Sequence, residues 1–295
     1  MILITGATGT VGRPLTGVVN AAGAEVRAIS RDPATARLPA GVEVVAGDPT
    51  RPETIARALS GATAVFINPA AVGTAAGDLL ALARDRGVRR VVLLSALVVD
   101  DPAQRDNPLA TYHRAIETAV TASGMEWVVL RPGMFAANTI TEWAAQIRAG
   151  DIVHGAYGGA TTAPLHEGDL AQVAGRALLD TGLTGRYIPM TGPESLTRAQ
   201  LVTTIGRVIG RPLRYEQVPP ERAAAAMAGH GVPEAMARTM LSMWAAAVGR
   251  PAMLSDGVPA VLGRPAHTFA EWVAEHTAAF TAHPAPRTLA KEATP

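Results

Sequence analysis

Through the first 133 residues the chain alternates short apolar runs, rich in Val, Ile and Leu, with longer stretches whose apolar residues recur every three or four positions. Runs that are apolar at every position read as strands buried on both faces, and the 3.6-residue period between them reads as crossover helices. The pattern predicts strands over 1–5, 25–30, 42–46, 64–67, 91–95 and 127–130. Helices are predicted over 10–22, 52–59, 77–86 and 108–123, the last with Asn107 as N-cap, Pro108 at its first position and Gly124 as its stop. Such alternation predicts a Rossmann-type α/β fold, a doubly wound parallel sheet.

After Pro132 the regular alternation gives way to mainly helical periodicity, over 138–149, 169–179, 198–209, 233–248 and 269–280, broken by a glycine-rich stretch at 155–159. The expected organisation is a sheet domain over 1–133, then a smaller, mainly helical capping portion over 134–280 with some segments returning to the sheet. A flexible tail, rich in Pro, Ala and Thr, is expected over 281–295.

Composition removes several chemistries. There is no Cys, which excludes disulfides, thiol nucleophiles and Cys-ligated metal. Lys occurs once, at Lys291, so Schiff-base chemistry and Walker-type phosphate loops are disfavoured. The seven His residues show no ligand spacing, and no metal is expected. A net charge of +1, with no basic stripe, argues against nucleic acid as a partner. No apolar run is long enough to span a bilayer and no signal segment precedes the first strand, so the chain reads as cytoplasmic, a monomer or homodimer.

The segment Thr5-Gly6-Ala7-Thr8-Gly9-Thr10-Val11-Gly12 lies between the first strand and the first helix. At that place free backbone N–H groups and the positive helix end suit a pyrophosphate, and the expected cofactor site comprises Gly6, Thr8, Gly9, Thr10, Val11 and Gly12. Strand 2 ends at Ser30-Arg31-Asp32, where such folds read the ribose; Arg31 suits a 2′-phosphate, favouring NADP(H) over NAD(H), and Asp32 taking the ribose is the alternative. Asp48, after strand 3, either accepts from the adenine amino group or caps its own turn.

Together with Ile29-Ser30-Arg31-Asp32-Pro33, Gly47-Asp48, Glu117, Leu130-Arg131-Pro132-Gly133, Leu165-His166-Glu167-Gly168-Asp169, Thr191-Gly192-Pro193-Glu194 and Leu262-Gly263-Arg264-Pro265, this loop resembles the NmrA-like branch of the atypical short-chain dehydrogenase/reductases, over about residues 1–280. The resemblance implies that Pro132 floors the nicotinamide, and Asn68 joins the expected cofactor contacts. It also locates a departure. Typical superfamily members carry Tyr-x-x-x-Lys, as proton donor and ribose holder. Counting back from Glu117 puts His113 in the Lys slot and Leu109 in the Tyr slot.

Candidate catalytic residues are therefore His113, its neighbour Tyr112, and Ser95 at the end of strand 5. His113 suits a ribose contact or proton donation, the alternative being a surface His without a proton role; Ser95 is either a ligand contact or an ordinary strand-end Ser. Substrate-lining candidates are Phe135, Asn138, Trp143, His154 and Tyr157. Met236, Met240, Met243 and Trp244 share one helical face, either core or a substrate lid. The leading expectation is an NADPH-dependent oxidoreductase transferring hydride to a small apolar or aromatic carbonyl, quinone or enone without the Tyr-Lys dyad. A non-catalytic NADP(H)-sensing regulator and a non-redox cyclase or lyase on the same scaffold are the competing readings.

Overall fold

The computed structural model describes residues 1–281 of the 295. The tail expected over 281–295 lies, but for its first residue, outside the described residues. The chain runs through β1 (Ile2–Ile4), α1 (Gly12–Ala21), β2 (Val26–Ser30), β3 (Glu43–Ala46), β4 (Ala64–Ile67), α2 (Pro69–Val72), α3 (Ala76–Asp85), β5 (Arg90–Leu94), α4 (Pro108–Thr121) and β6 (Glu126–Pro132). It continues through α5 (Asn138–Ala149), β7 (Ile152–Gly155), β8 (Thr161–Thr162), α6 (Glu167–Leu179), β9 (Arg186–Met190), β10 (Leu196–Thr197), α7 (Arg198–Ile209) and β11 (Arg214–Gln217). Five helices close it: α8 (Pro220–Gly229), α9 (Glu234–Ala247), α10 (Gly257–Leu262), α11 (Phe269–Glu275) and α12 (Thr277–Thr281).

Seven strands form one parallel sheet in the order β3-β2-β1-β4-β5-β6-β9, the doubly wound Rossmann arrangement with its crevice where the order reverses beside β1. Neighbouring residues point to opposite faces, so each apolar strand feeds two cores at once. Ile2, Ile4, Phe66, Val92, Val128 and Leu130 pack under α1 and α6. Leu3, Val65, Ile67, Val91, Leu93 and Val129 face the opposite way, toward α3 and α4. This two-sided burial is why the strands lack the polar alternation of a half-exposed sheet.

The structure departs from the sequence expectation in several places, the unexpected short strands β7, β8, β10 and β11 and helices α2, α8 and α10 among them. The helix expected over 52–59 is only a 3₁₀ turn over Pro52–Ile55. A seventh strand, β9, comes from the capping portion and pairs with β6, its interior Pro189 lying on the sheet's edge where no ladder partner is lost. The helix expected over 269–280 breaks into α11 and α12 at His276.

The capping portion has its own core, built on Trp143, Ile147, Leu201, Ile205, Phe269 and Trp272. It is tied to the sheet domain through the start of α6. Buried Asp169 accepts from the His267 backbone N–H at 2.8 Å and from Arg264 Nη2 at 2.6 Å, while Trp272 Nε1 donates to Glu167 at 2.9 Å. Among the described residues no helix is long and apolar enough to cross a membrane.

Candidate functional site

The glycine turn is built by close backbone approach. Gly6 has φ +66°, a left-handed conformation that costs a side chain, and a Cβ on Gly12 would lie 2.1 Å from the Gly6 carbonyl oxygen. The turn is pinned from below: Thr5 Oγ1 donates to Phe66 O at 2.9 Å and accepts from Asn68 N at 2.9 Å, locking the ends of β1 and β4 together. Helix α1 has no side-chain cap, and the N–H groups of Thr8, Thr10 and Val11 meet no protein acceptor among the described residues. Uncapped donors at a helix N-terminus are what a pyrophosphate accepts from, so the loop fits a dinucleotide.

Around this loop the polar residues sort themselves by what they already bind. Asp32 Oδ2 accepts from Thr35 Oγ1 at 2.9 Å, and Ser30 Oγ accepts from the Asp32 N–H, so Asp32 is committed to the turn after β2 while Arg31 is exposed. Asp48 Oδ1 accepts from both Thr50 N and Thr50 Oγ1, at 3.0 and 2.7 Å. These bonds, with Arg51 and Arg31 nearby, hold its pKa below the usual carboxylate value; the turn-capping alternative is the one its geometry satisfies. Asn68 Oδ1 caps α2 by accepting from Ala70 N at 3.1 Å, and its side chain stands against Gly6.

The catalytic candidates on and beside α4 separate. Tyr112 points into the sheet domain, its OH within 3.1 Å of the Pro69 and Gly73 carbonyls, and burial pushes its pKa up. It is a strut, and the expectation that it reaches a substrate is corrected by a helix geometry that turns neighbours about 100° apart. Ser95 is buried and donates to Glu117 Oε1, which also accepts from Arg131 Nε at 2.9 Å, so this hydroxyl is spent inside the protein. His113 differs: its Nδ1 is buried with no hydrogen-bond partner. Burial lowers its pKa, against the opposing pull of Glu117. His113 therefore stands apart from Tyr112 and Ser95 as the candidate whose ring nitrogen is not satisfied within the protein.

A cavity of about 470 Å³ opens between the sheet domain and the capping portion. Pro132, the last residue of β6, and Gly133 line it, as do Leu97, Leu109, Asn138, Met240, Met243 and Trp244. Its size and mostly apolar wall are those of a small-molecule site. Leu109, the residue in the Tyr slot, lines this cavity, so that slot holds no proton donor; the acids of the wall are Asp101 and Glu142.

Of the five expected lining residues, Asn138 is on the wall and the other four are not. Trp143 is 2% exposed in the core of the capping portion. Phe135 packs against the sheet's core and bridges to Leu165. His154 is exposed on β7 beside Glu216, and Tyr157, at φ +53°, packs near α8 and α9. Helix α9 supplies the wall instead: Met240, Met243 and Trp244 line the cavity while Met236 faces solvent.

Sequence reasoning missed a buried charged pair. Arg198, 5% exposed in its side chain, donates from Nη2 to Glu142 at 2.8 Å, and both line the cavity. Its guanidinium lies 3.7 Å from the Trp244 ring centroid and 5.1 Å from that of Trp143, and its Nε has no partner. A buried donor left unmet costs about 1–3 kcal/mol. Glu142 was legible in principle, one helical turn after Asn138; nothing in the sequence marks Arg198, which reaches the site only because α7 folds against α5.

Residues 6–180 match the model of an NAD(P)H-binding family. The chain is 37% identical, over 95% of its length and 99% of the relative's, to (4-alkanoyl-5-oxo-2,5-dihydrofuran-3-yl)methyl phosphate reductase of Streptomyces griseus. It is 35% identical to NAD(P)H azoreductase of Xenophilus azovorans, over 96% of this chain and 100% of the relative. Its fold is similar to that of NADPH-dependent quinone oxidoreductase of Escherichia coli complexed with NADPH, with a TM-score of 0.79 at 24% identity over 94% of this chain and 100% of that one. The chain belongs to this NAD(P)H-binding family and is an NAD(P)H-dependent oxidoreductase.

Proposed function

We propose that the protein is an NADPH-dependent reductase of small, planar, conjugated acceptors such as quinones, enones and azo compounds, working without a protein acid at the reacting centre. The observation that carries this reading is Leu109 on the cavity wall in the slot where the superfamily places its Tyr. An isolated ketone needs a proton as it is reduced, because a bare alkoxide is a poor product. A conjugated acceptor spreads the charge and does not. NADPH, when bound, supplies hydride, and the anion left on the acceptor takes its proton from water.

The chain's residues then position rather than protonate. His113, whose pKa burial lowers, stands in place of the superfamily's Lys as the contact to the nicotinamide ribose. Pro132 and Gly133 floor the nicotinamide, and Leu97, Met243 and Trp244 give the acceptor an apolar bed. Arg31 is free to pair with a 2′-phosphate since Asp32 is committed to Thr35, which supports NADP(H) over NAD(H). The relatives' substrates, an unsaturated butenolide phosphate and azo compounds by their names, are conjugated acceptors of this kind.

The test is acceptor-dependent loss of NADPH absorbance with 1,4-naphthoquinone, a butenolide and an azo dye. Turnover of at least one is expected. Tight NADPH binding with no turnover of any would leave a nucleotide-sensing role instead.

A further inference from the structure

We infer that the part of the cavity flanked by Arg198 and Arg250 is a subsite for an oxyanion substituent, carboxylate or phosphate, carried by the planar substrate. The inference rests on the reductase reading only for placing a substrate in this cavity. Both arginines line it. They are anchored on one short stretch of chain: Arg198 N donates to Ala160 O at 2.9 Å, and the Arg250 carbonyl accepts from Thr161 Oγ1.

The Arg198 guanidinium is fixed in place by stacking on Trp244 and by Glu142, yet keeps a donor with no partner. A held, permanently charged guanidinium lining a cavity is what an oxyanion pairs with. Arg250 adds a second charge and, among the described residues, forms no ion pair. Glu142 is the carboxylate at this place; the other acid of the wall, Asp101, is turned to its own loop, accepting from Ala103 N at 2.9 Å. Two guanidinium groups against one carboxylate leave one positive charge, which a singly charged oxyanion neutralises. Met240, Met243 and Ala247 make this part of the wall largely apolar beside the buried Arg198, while Arg250 is exposed.

The test is calorimetric binding of 2-naphthoate, 2-naphthyl phosphate and the neutral 2-naphthamide to the NADPH-loaded protein. At least one oxyanion is expected to bind about tenfold tighter than the amide, as a charge-assisted contact requires. Arg250→Ser, at the exposed wall, and Arg198→Met are each expected to cost the oxyanion more affinity than the amide. Glu142→Gln is expected to tighten oxyanion binding severalfold, a gain that misfolding cannot imitate. Preference for the phosphate identifies a phosphate monoester as the substituent, and preference for naphthoate a carboxylate. Equal binding of oxyanions and amide, or no binding by any of the three, overturns the inference; so does a preference that survives both arginine changes. Oxyanion-selective binding in a protein that reduces no acceptor would sustain the subsite and sink the reductase reading.

Discussion

The nucleotide loop and the substrate cavity, both at the crevice of one sheet, are built by opposite means. The loop is made of backbone: a left-handed Gly6, a Gly12 with no room for a methyl group, and N–H donors left free at the start of α1. The cavity is made of side chains from loops and helices far apart in sequence, with Leu109, Asn138, Glu142, Arg198, Trp244 and Arg250 on one wall. A backbone-built site tolerates few sequences and therefore looks alike wherever it occurs. A side-chain-built site can be relined without disturbing the fold, which is how one scaffold serves many substrates.

The comparison can be broken most forcefully at the two tryptophans. Trp143→Ala is expected to cost about 3–4 kcal/mol of stability by chemical denaturation, since a fully packed aromatic leaves a cavity, whereas Trp244→Ala is expected to cost far less stability and to act on acceptor KM. Equal stability losses would mean that Trp244 is core and not wall. In the loop, Gly12→Val forces a side chain into the Gly6 carbonyl and is expected to weaken NADPH binding about 100-fold by fluorescence titration. Arg31→Ala is expected to raise the NADPH dissociation constant about tenfold and leave NADH unchanged, the worth of one charged hydrogen bond. Tighter binding of NADH than NADPH by the unaltered protein would contradict the assignment of Arg31.

The smallest effect belongs to His113. Its folded pKa is lowered by burial, so the stability it carries is present above the ordinary imidazole value of 6.5 and is lost as pH falls from there toward the folded value. His113→Gln is expected to flatten that part of the stability profile between pH 5 and 7. The kcat profile of the unaltered protein should show no His-dependent limb near 6.5, because burial moves the His113 pKa below that value and the reaction takes no proton from it. A limb there that disappears in His113→Gln would make His113 the proton donor.

The sheet's first six strands, helices α1, α3 and α4 and the nucleotide loop were legible in the chain because period and glycine placement are local properties. The seventh strand was not, since Arg186–Met190 carries a Pro and gains its identity only from the β6 edge. His113 and Leu109 were legible as departures from a known pattern, and their surroundings were not: the unmet Nδ1 and the facing of Leu109 into a cavity are tertiary facts. Trp143 and Trp244 show the limit most clearly. Both are aromatic residues in amphipathic helices, and only the packing of α5 and α7 against the shared α12 decides that one is core while the other is wall.

The central claim, that hydride transfer proceeds without a protein acid, is tested most directly by comparing NADPH oxidation with 1,4-naphthoquinone and with a simple aryl ketone of similar size under the same conditions. The account predicts turnover of the quinone and no measurable reduction of the ketone. Reduction of the ketone with comparable kcat/KM would contradict it, because such a substrate needs a proton donor that the Leu109 wall does not provide.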